Sequence, residues 1–196
     1  MGALMEVEGV PIEWLNLSEN SLSDHAAADV SAVIDSCRSL TVLDISRNAF
    51  MTNGLRIISE EVMKNQTLKH LNLSHIHMNI ESIEYLSNAL ARNVSLRTLD
   101  MYGCNMGNPG ATRLGAAIAV NSSLTSLDMG TNAIAEEGFQ LFADGLQVNS
   151  SVAVLRMWGN AMHGASSRVV NAMLQNDSVT ELDVAGCGGD PRDLAI

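Results

Sequence analysis

The sequence predicts an α/β solenoid: an open arc with one parallel sheet on its concave side and a row of helices on its convex side. Three observations carry this expectation. Seven segments, beginning at Ile12, Leu40, Leu68, Leu96, Leu124, Val152 and Val179, read apolar-x-x-Leu-x-apolar, separated by 28 residues five times and then by 27. A fixed period of this length marks a stack of identical supersecondary units. Within each segment apolar residues alternate, as at Leu43 and Ile45, which suits a short strand with one buried face. The rest of each period has helical spacing. Strands stack about 4.8 Å apart and packed helices about 8 to 10 Å apart, so the stack must curve with the sheet inside.

The elements follow in order. Eight residues after the first apolar position stands Asn20, Asn48, Cys104, Asn132, Asn160 or Cys187, with Ile76 the exception in the third repeat. A buried Asn there can satisfy backbone leaving the strand, and Cys can replace it as a small, weakly polar filler. Leu55, Ile58 and Val62 give the second repeat its helix; Ile83, Leu86 and Leu90 give the third. Gly54, Gly110 and Gly138 mark the loops before helices. The 27-residue interval loses its residue around Met162 to Ala165, yet Val169, Met173 and Asn176 keep the spacing of Phe142, Leu146 and Asn149. The seventh repeat has a strand over Val179 to Val184, then Gly186, Gly188, Gly189 and Pro191, which oppose a helix. The expectation is one domain over 1–196, with about six complete repeats and a seventh strand.

These residue types form the pattern L-x-x-L-x-L-x-x-N/C of leucine-rich repeats. The 28-residue period with a full helix resembles the ribonuclease-inhibitor type, over residues 12 to 187. That subtype occurs in ribonuclease inhibitor, Ran GTPase-activating protein, the sensor ends of NOD-like receptors, tropomodulin-like actin regulators and ciliary proteins. The resemblance implies partner binding through the concave side and its rim. It brings no catalytic residue, and the long acidic tail expected of a Ran GTPase activator is absent.

Composition narrows the partner. The 11 Lys and Arg stand against 22 Asp and Glu, a net charge of -11. That opposes nucleic acid and anionic membranes and favours a protein with a basic segment. The start MGALMEVEG lacks the positive charge and apolar run of a secretory signal, and no run of 18 apolar residues occurs. Cys37, Cys104 and Cys187 leave at least one thiol unpaired and form no CxxC pair, so a cytoplasmic setting is expected. Glycosylation-type N-x-S/T triplets begin at Asn16, Asn65, Asn72, Asn93, Asn121, Asn149 and Asn176. Five of these recur at one repeat position, Asn65, Asn93, Asn121, Asn149 and Asn176, where capping and turn formation explain them. No nucleophile elbow, P-loop or dinucleotide fingerprint is present, so no enzyme activity and no cofactor are expected.

Alternation sends the third, fifth and seventh motif residues to the concave face. The third column is Trp14, Val42, His70, Thr98, Ser126, Val154 and Glu181. The fifth is Asn16, Asp44, Asn72, Asp100, Asp128, Arg156 and Asp183, and the seventh is Ser18, Ser46, Ser74, Tyr102, Gly130, Trp158 and Ala185. Asp100 and Asp128 are the adjacent like charges, expected to hold a proton or attract a cation. Calcium takes six to eight oxygens from several directions, so this pair alone does not make a metal site. His70, His75 and His77 read as surface or loop histidines rather than zinc ligands, and Met78, Met101, Met106, Met129, Met157 and Met162 read as core.

The expected binding site is a slot between Tyr102 and Trp158, two strands or about 9.6 Å apart, floored by Gly130. Asp128 closes one end, and Arg156 beside it competes for that carboxylate. Such a slot suits a lysine or arginine. Trp14 and Asp100 complete the candidate set. Function is thus expected to be a protein-interaction module or scaffold, the alternative being a regulator of a small GTPase. The strands at Ile12 and Val179 are sheet edges, with Pro11 a weak guard, so end-to-end self-association or a longer parent chain is also expected.

Overall fold

The computed structural model describes residues 11–162 and 166–188. Seven three-residue strands, β1 (Trp14–Asn16), β2 (Val42–Asp44), β3 (His70–Asn72), β4 (Thr98–Asp100), β5 (Ser126–Asp128), β6 (Val154–Arg156) and β7 (Glu181–Asp183), form one parallel sheet in sequence order. The helices between them are α1 (Ala27–Ser36), entered through a 3-10 turn at Asp24–Ala26, α2 (Thr52–Lys64), α3 (Ile80–Leu90), α4 (Gly107–Ile118), α5 (Glu136–Val148) and α6 (Ser166–Leu174). This is the expected open solenoid. Register follows the repeat: Leu15, Leu43, Leu71, Leu99, Leu127, Leu155 and Leu182 form one row across the sheet. A single apolar core runs along the stack between sheet and helices, and the six core-assigned methionines all lie in it. Among the described residues no helix is long and apolar enough to cross a membrane.

Two ladders of buried asparagines hold the turns. Where the chain leaves the sheet, Asn48 donates to the carbonyls of Leu17 and Ile45, each 2.8 Å away, and its oxygen accepts the N–H groups of Asn20 and Leu22. Asn132 and Asn160 repeat this, and Cys104 and Cys187 use their thiols to donate to Leu73 and Met157 carbonyls at 3.2 and 3.1 Å. Burial pushes the Cys104 thiol up to about 12, so it serves as a neutral donor. Asn20, at the first repeat, is exposed. The second ladder was expected only as caps and turns. Asn65, Asn93, Asn121, Asn149 and Asn176 are buried where helix returns to strand. From Asn93 on, each donates to a carbonyl of the preceding helix end and to the backbone carbonyl of the preceding ladder asparagine. Their amides are consumed inside the fold, which accounts for those five glycosylation-type triplets.

Gly54, Gly110 and Gly138 lie within the first helical turn rather than in the loops before it. At Gly54 and Gly138 the reason is close approach between repeats: a Cβ on Gly138 would lie 2.8 Å from Asn108 Cα, and one on Gly54 would collide with the Asp24 carboxylate. Those neighbours also bond the helix entrances, since Asp24 accepts the Met51 N–H at 2.7 Å and Asn108 the Ala135 N–H at 2.7 Å. Part of the shortened 162–165 loop and the end of the seventh repeat beyond 188 lie outside the described residues.

Candidate partner-binding surface

The concave face is built from the strand columns, and its fifth column is ordered from within. The side-chain oxygens of Asn16, Asp44, Asn72, Asp128 and Asp183 each accept the backbone N–H two residues ahead, at 2.8 to 3.0 Å. Asn72 also donates to Asp44 at 3.1 Å. Asp100 departs from the pattern, because among the described residues no group donates a hydrogen bond to its carboxylate. Its pKa is raised, first by burial and then by Asp128, with Asp44 adding and Arg156 and His70 opposing. The expected tension between Asp100 and Asp128 thus falls on Asp100.

Arg156, placed by the sequence beside Asp128, pairs instead with Glu181 of the third column, 2.6 Å from Nη2 to Oε1. It remains close enough to oppose the Asp100 shift. The Tyr102–Trp158 slot is closed: the two rings stack with centroids 4.9 Å apart and planes 24° apart, not about 9.6 Å apart. Gly130 is the reason. With no side chain in the middle strand, Trp158 settles onto it, and a Cβ there would lie 2.7 Å from Trp158 Nε1. The glycine that was to floor an open slot lets its walls collapse.

His75 extends this aromatic row, its ring edge-on to Tyr102 at 4.6 Å, and its Nε2 is buried with no hydrogen-bond partner among the described residues. It was expected among surface or loop histidines and lies in the turn after β3; His77, at the rim, is exposed and touches Asn105 at 3.2 Å. His75 packs over Gly103, where a Cβ would lie 2.8 Å from Nδ1. The eighth motif position explains this rim, since Glu19, Arg47, His75, Gly103, Thr131, Gly159 and Gly186 all have φ between 45° and 69°. Glycines at three of the seven positions were the sequence signal for that left-handed backbone. In the seventh column Ser46 and Ser74 are buried, so the open face consists mainly of columns three and five.

Toward the first repeats the face deepens into a recess of about 410 Å³ bounded by Trp14, Val42, Asp44, His70, Asn72 and Asp100. Trp14 is 61% exposed. Among the described residues no three His, Cys, Asp or Glu side chains converge to hold a metal ion.

This architecture defines the class: the chain folds as a leucine-rich-repeat solenoid. Residues 36–56, 64–75, 92–115 and 120–143 match the Leucine Rich repeat family. No curated protein matches the sequence. Among solved structures, the chain is similar to the tropomodulin C-terminal domain of Caenorhabditis elegans, with a TM-score of 0.61 and 14% identity, covering 76% of this chain and 92% of that one. It is also similar to leiomodin-1 actin-binding site 2, with a TM-score of 0.59 and 15% identity over 78% of this chain and 87% of the other. At these identities the likeness concerns the fold.

Proposed function

We propose that the protein is a non-enzymatic interaction module that holds a basic segment of a partner protein on its concave face and rim. The observation supporting this is the division of labour among its polar residues. The two buried asparagine ladders satisfy the turn backbone and the fifth-column oxygens take one N–H each except at Asp100, which leaves the concave side with an exposed tryptophan, a stacked aromatic pair and half-engaged carboxylates. Trp and Tyr are frequent interface anchors, and a negative face attracts a basic partner. Three unpaired cysteines are in keeping with a cytoplasmic setting. For the GTPase-regulator alternative the structure offers little support, because Arg156, the lone arginine of the three columns, is engaged by Glu181.

The similar leiomodin-1 structure is an actin-binding site, so monomeric actin is the first protein to assay. The test is fluorescence anisotropy with labelled actin and with matched basic and acidic peptides. Binding of a basic ligand that weakens as salt rises from about 50 to 200 mM is the expected result. Preference for the acidic peptide, or binding indifferent to salt, would overturn the reading.

A further inference from the structure

The recess at the first repeats, rather than the aromatic pair, has the features of a docking site. Of the two acids that line it, Asp100 is half-buried in the fifth column and, among the described residues, lacks the hydrogen-bond donor that Asp44 and Asp128 each receive from their own strand ends. Asp128 lies directly beside it in register, with one oxygen engaged by Gly130. The basic side chain that could have neutralised the pair, Arg156, is held by Glu181. At the far end of the recess stands Trp14, three strands away or about 14 Å by strand spacing, with most of its surface open. Val42 and His70 form the wall between them. Among the described residues, His70 is the one basic side chain that lines the recess.

We propose that this recess seats an extended, arginine-bearing segment of the protein partner, with the guanidinium at Asp100 and a neighbouring side chain of the segment on Trp14. The proposal rests on the reading of the protein as an interaction module and names where and by what chemistry it grips. Charge complementarity selects the occupant: the carboxylates of Asp44 and Asp100 line the recess, Asp128 stands next to Asp100 in register, and the chain carries a net charge of -11. Arginine suits the geometry better than lysine, because its planar fork of donors can serve the unfilled oxygens of Asp100 and the free oxygen of Asp128 together, whereas an ammonium acts as a point charge. An extended chain advances about 3.3 Å per residue, so about four residues span the distance from Asp100 to Trp14. Burial first and Asp128 next raise the pKa of Asp100, so an incoming cation would relieve its charge.

The test uses the chain's two tryptophans, which sit at opposite ends of the concave face and give two indole N–H signals by NMR. The probe is a capped peptide with arginines four residues apart, Arg-Ala-Ala-Ala-Arg, and its analogue with citrulline, a neutral isostere, at both positions. Trp14→Phe and Trp158→Phe assign the signals. The arginine peptide is expected to shift the Trp14 signal, the citrulline peptide to leave it in place, and Asp100→Asn to weaken binding at least tenfold while the melting temperature holds or rises. A shift at Trp158 alone would move the site to the aromatic pair, sinking this inference while leaving the interaction reading intact. No shift at either indole, with actin or another basic protein still bound, would also overturn it. Equal binding of the citrulline peptide would refute the role of Asp100.

Discussion

Asn132→Ala probes the repeat register most severely. Asn132 is fully buried, and its amide donates to the Met101 carbonyl at 2.7 Å and the Gly130 carbonyl at 3.0 Å, joining two neighbouring repeats. Its oxygen faces the Met106 N–H at a longer 3.4 Å. Truncation strands the Met101 carbonyl, while the Gly130 carbonyl keeps the Gly103 N–H at 3.0 Å, so a loss of about 1 to 3 kcal/mol is expected. For a chain of this size each kcal/mol lowers the melting temperature by about 2 to 4 °C, which puts the drop at about 2 to 12 °C by circular dichroism. Asn132→Cys should lose less, because Cys104 and Cys187 make the equivalent thiol-to-carbonyl contact in their own repeats. Asn20→Ala, at the exposed end of the same column, should stay within about 0.5 kcal/mol. If Asn132→Ala melts like the wild type, or like Asn20→Ala, the assigned register and the role of the ladder are wrong.

Further outcomes follow from packing and charge. Helices α4 and α5 touch through Gly115 and Gly145, where a Cβ on Gly145 would sit 2.6 Å from the Gly115 carbonyl carbon. Gly145→Ala should therefore destabilise by about 1 to 3 kcal/mol even though Ala is the better helix former, and a stabilised variant would refute the close approach. A double-mutant cycle on Tyr102→Ala and Trp158→Ala should show a coupling of about 0.5 to 1.5 kcal/mol; additivity would mean the rings do not stack in solution. Asp100 has a raised folded-state pKa, so the folded chain binds that proton more tightly than the unfolded chain and ionisation of Asp100 opposes folding. Asp100→Asn should accordingly raise the melting temperature at pH 7. The advantage should shrink as pH falls through the folded-state pKa toward the ordinary carboxylate range near about 4; an advantage that grows on acidification would contradict the assignment.

The repeat made the backbone legible because each strand is fixed by a local alternation and each helix by a local period. Leu43 and Ile45, or Ile83, Leu86 and Leu90, need no distant information to declare their buried face. The columns of the concave side followed from the same counting. What escaped the sequence depends on how side chains lean across repeats. Trp158 turns over Gly130 to reach Tyr102, and Arg156 turns to Glu181 instead of Asp128. Neither rotation is written in a spacing. The second asparagine ladder was visible as a column, but its bonds run to residues about 31 positions earlier and emerge only once the repeats are stacked. Asp100 stood out as an acid beside an acid. That it lacks the donor its column-mates receive could be seen only in the folded chain.

Whether partners bind the concave side is tested most directly by placing one arginine on each side of the solenoid. Ser126→Arg puts a positive charge in the third concave column, on the strand that carries Asp128, while Ala116→Arg puts the same charge on the exposed surface of α4. Binding of the fluorescent Arg-Ala-Ala-Ala-Arg peptide is then measured for both by anisotropy at low salt. At least tenfold weakening by Ser126→Arg, with Ala116→Arg within about twofold of wild type, is the result a concave binding face requires. Equal weakening by the two, or loss confined to Ala116→Arg, would place recognition on the helices and contradict the account.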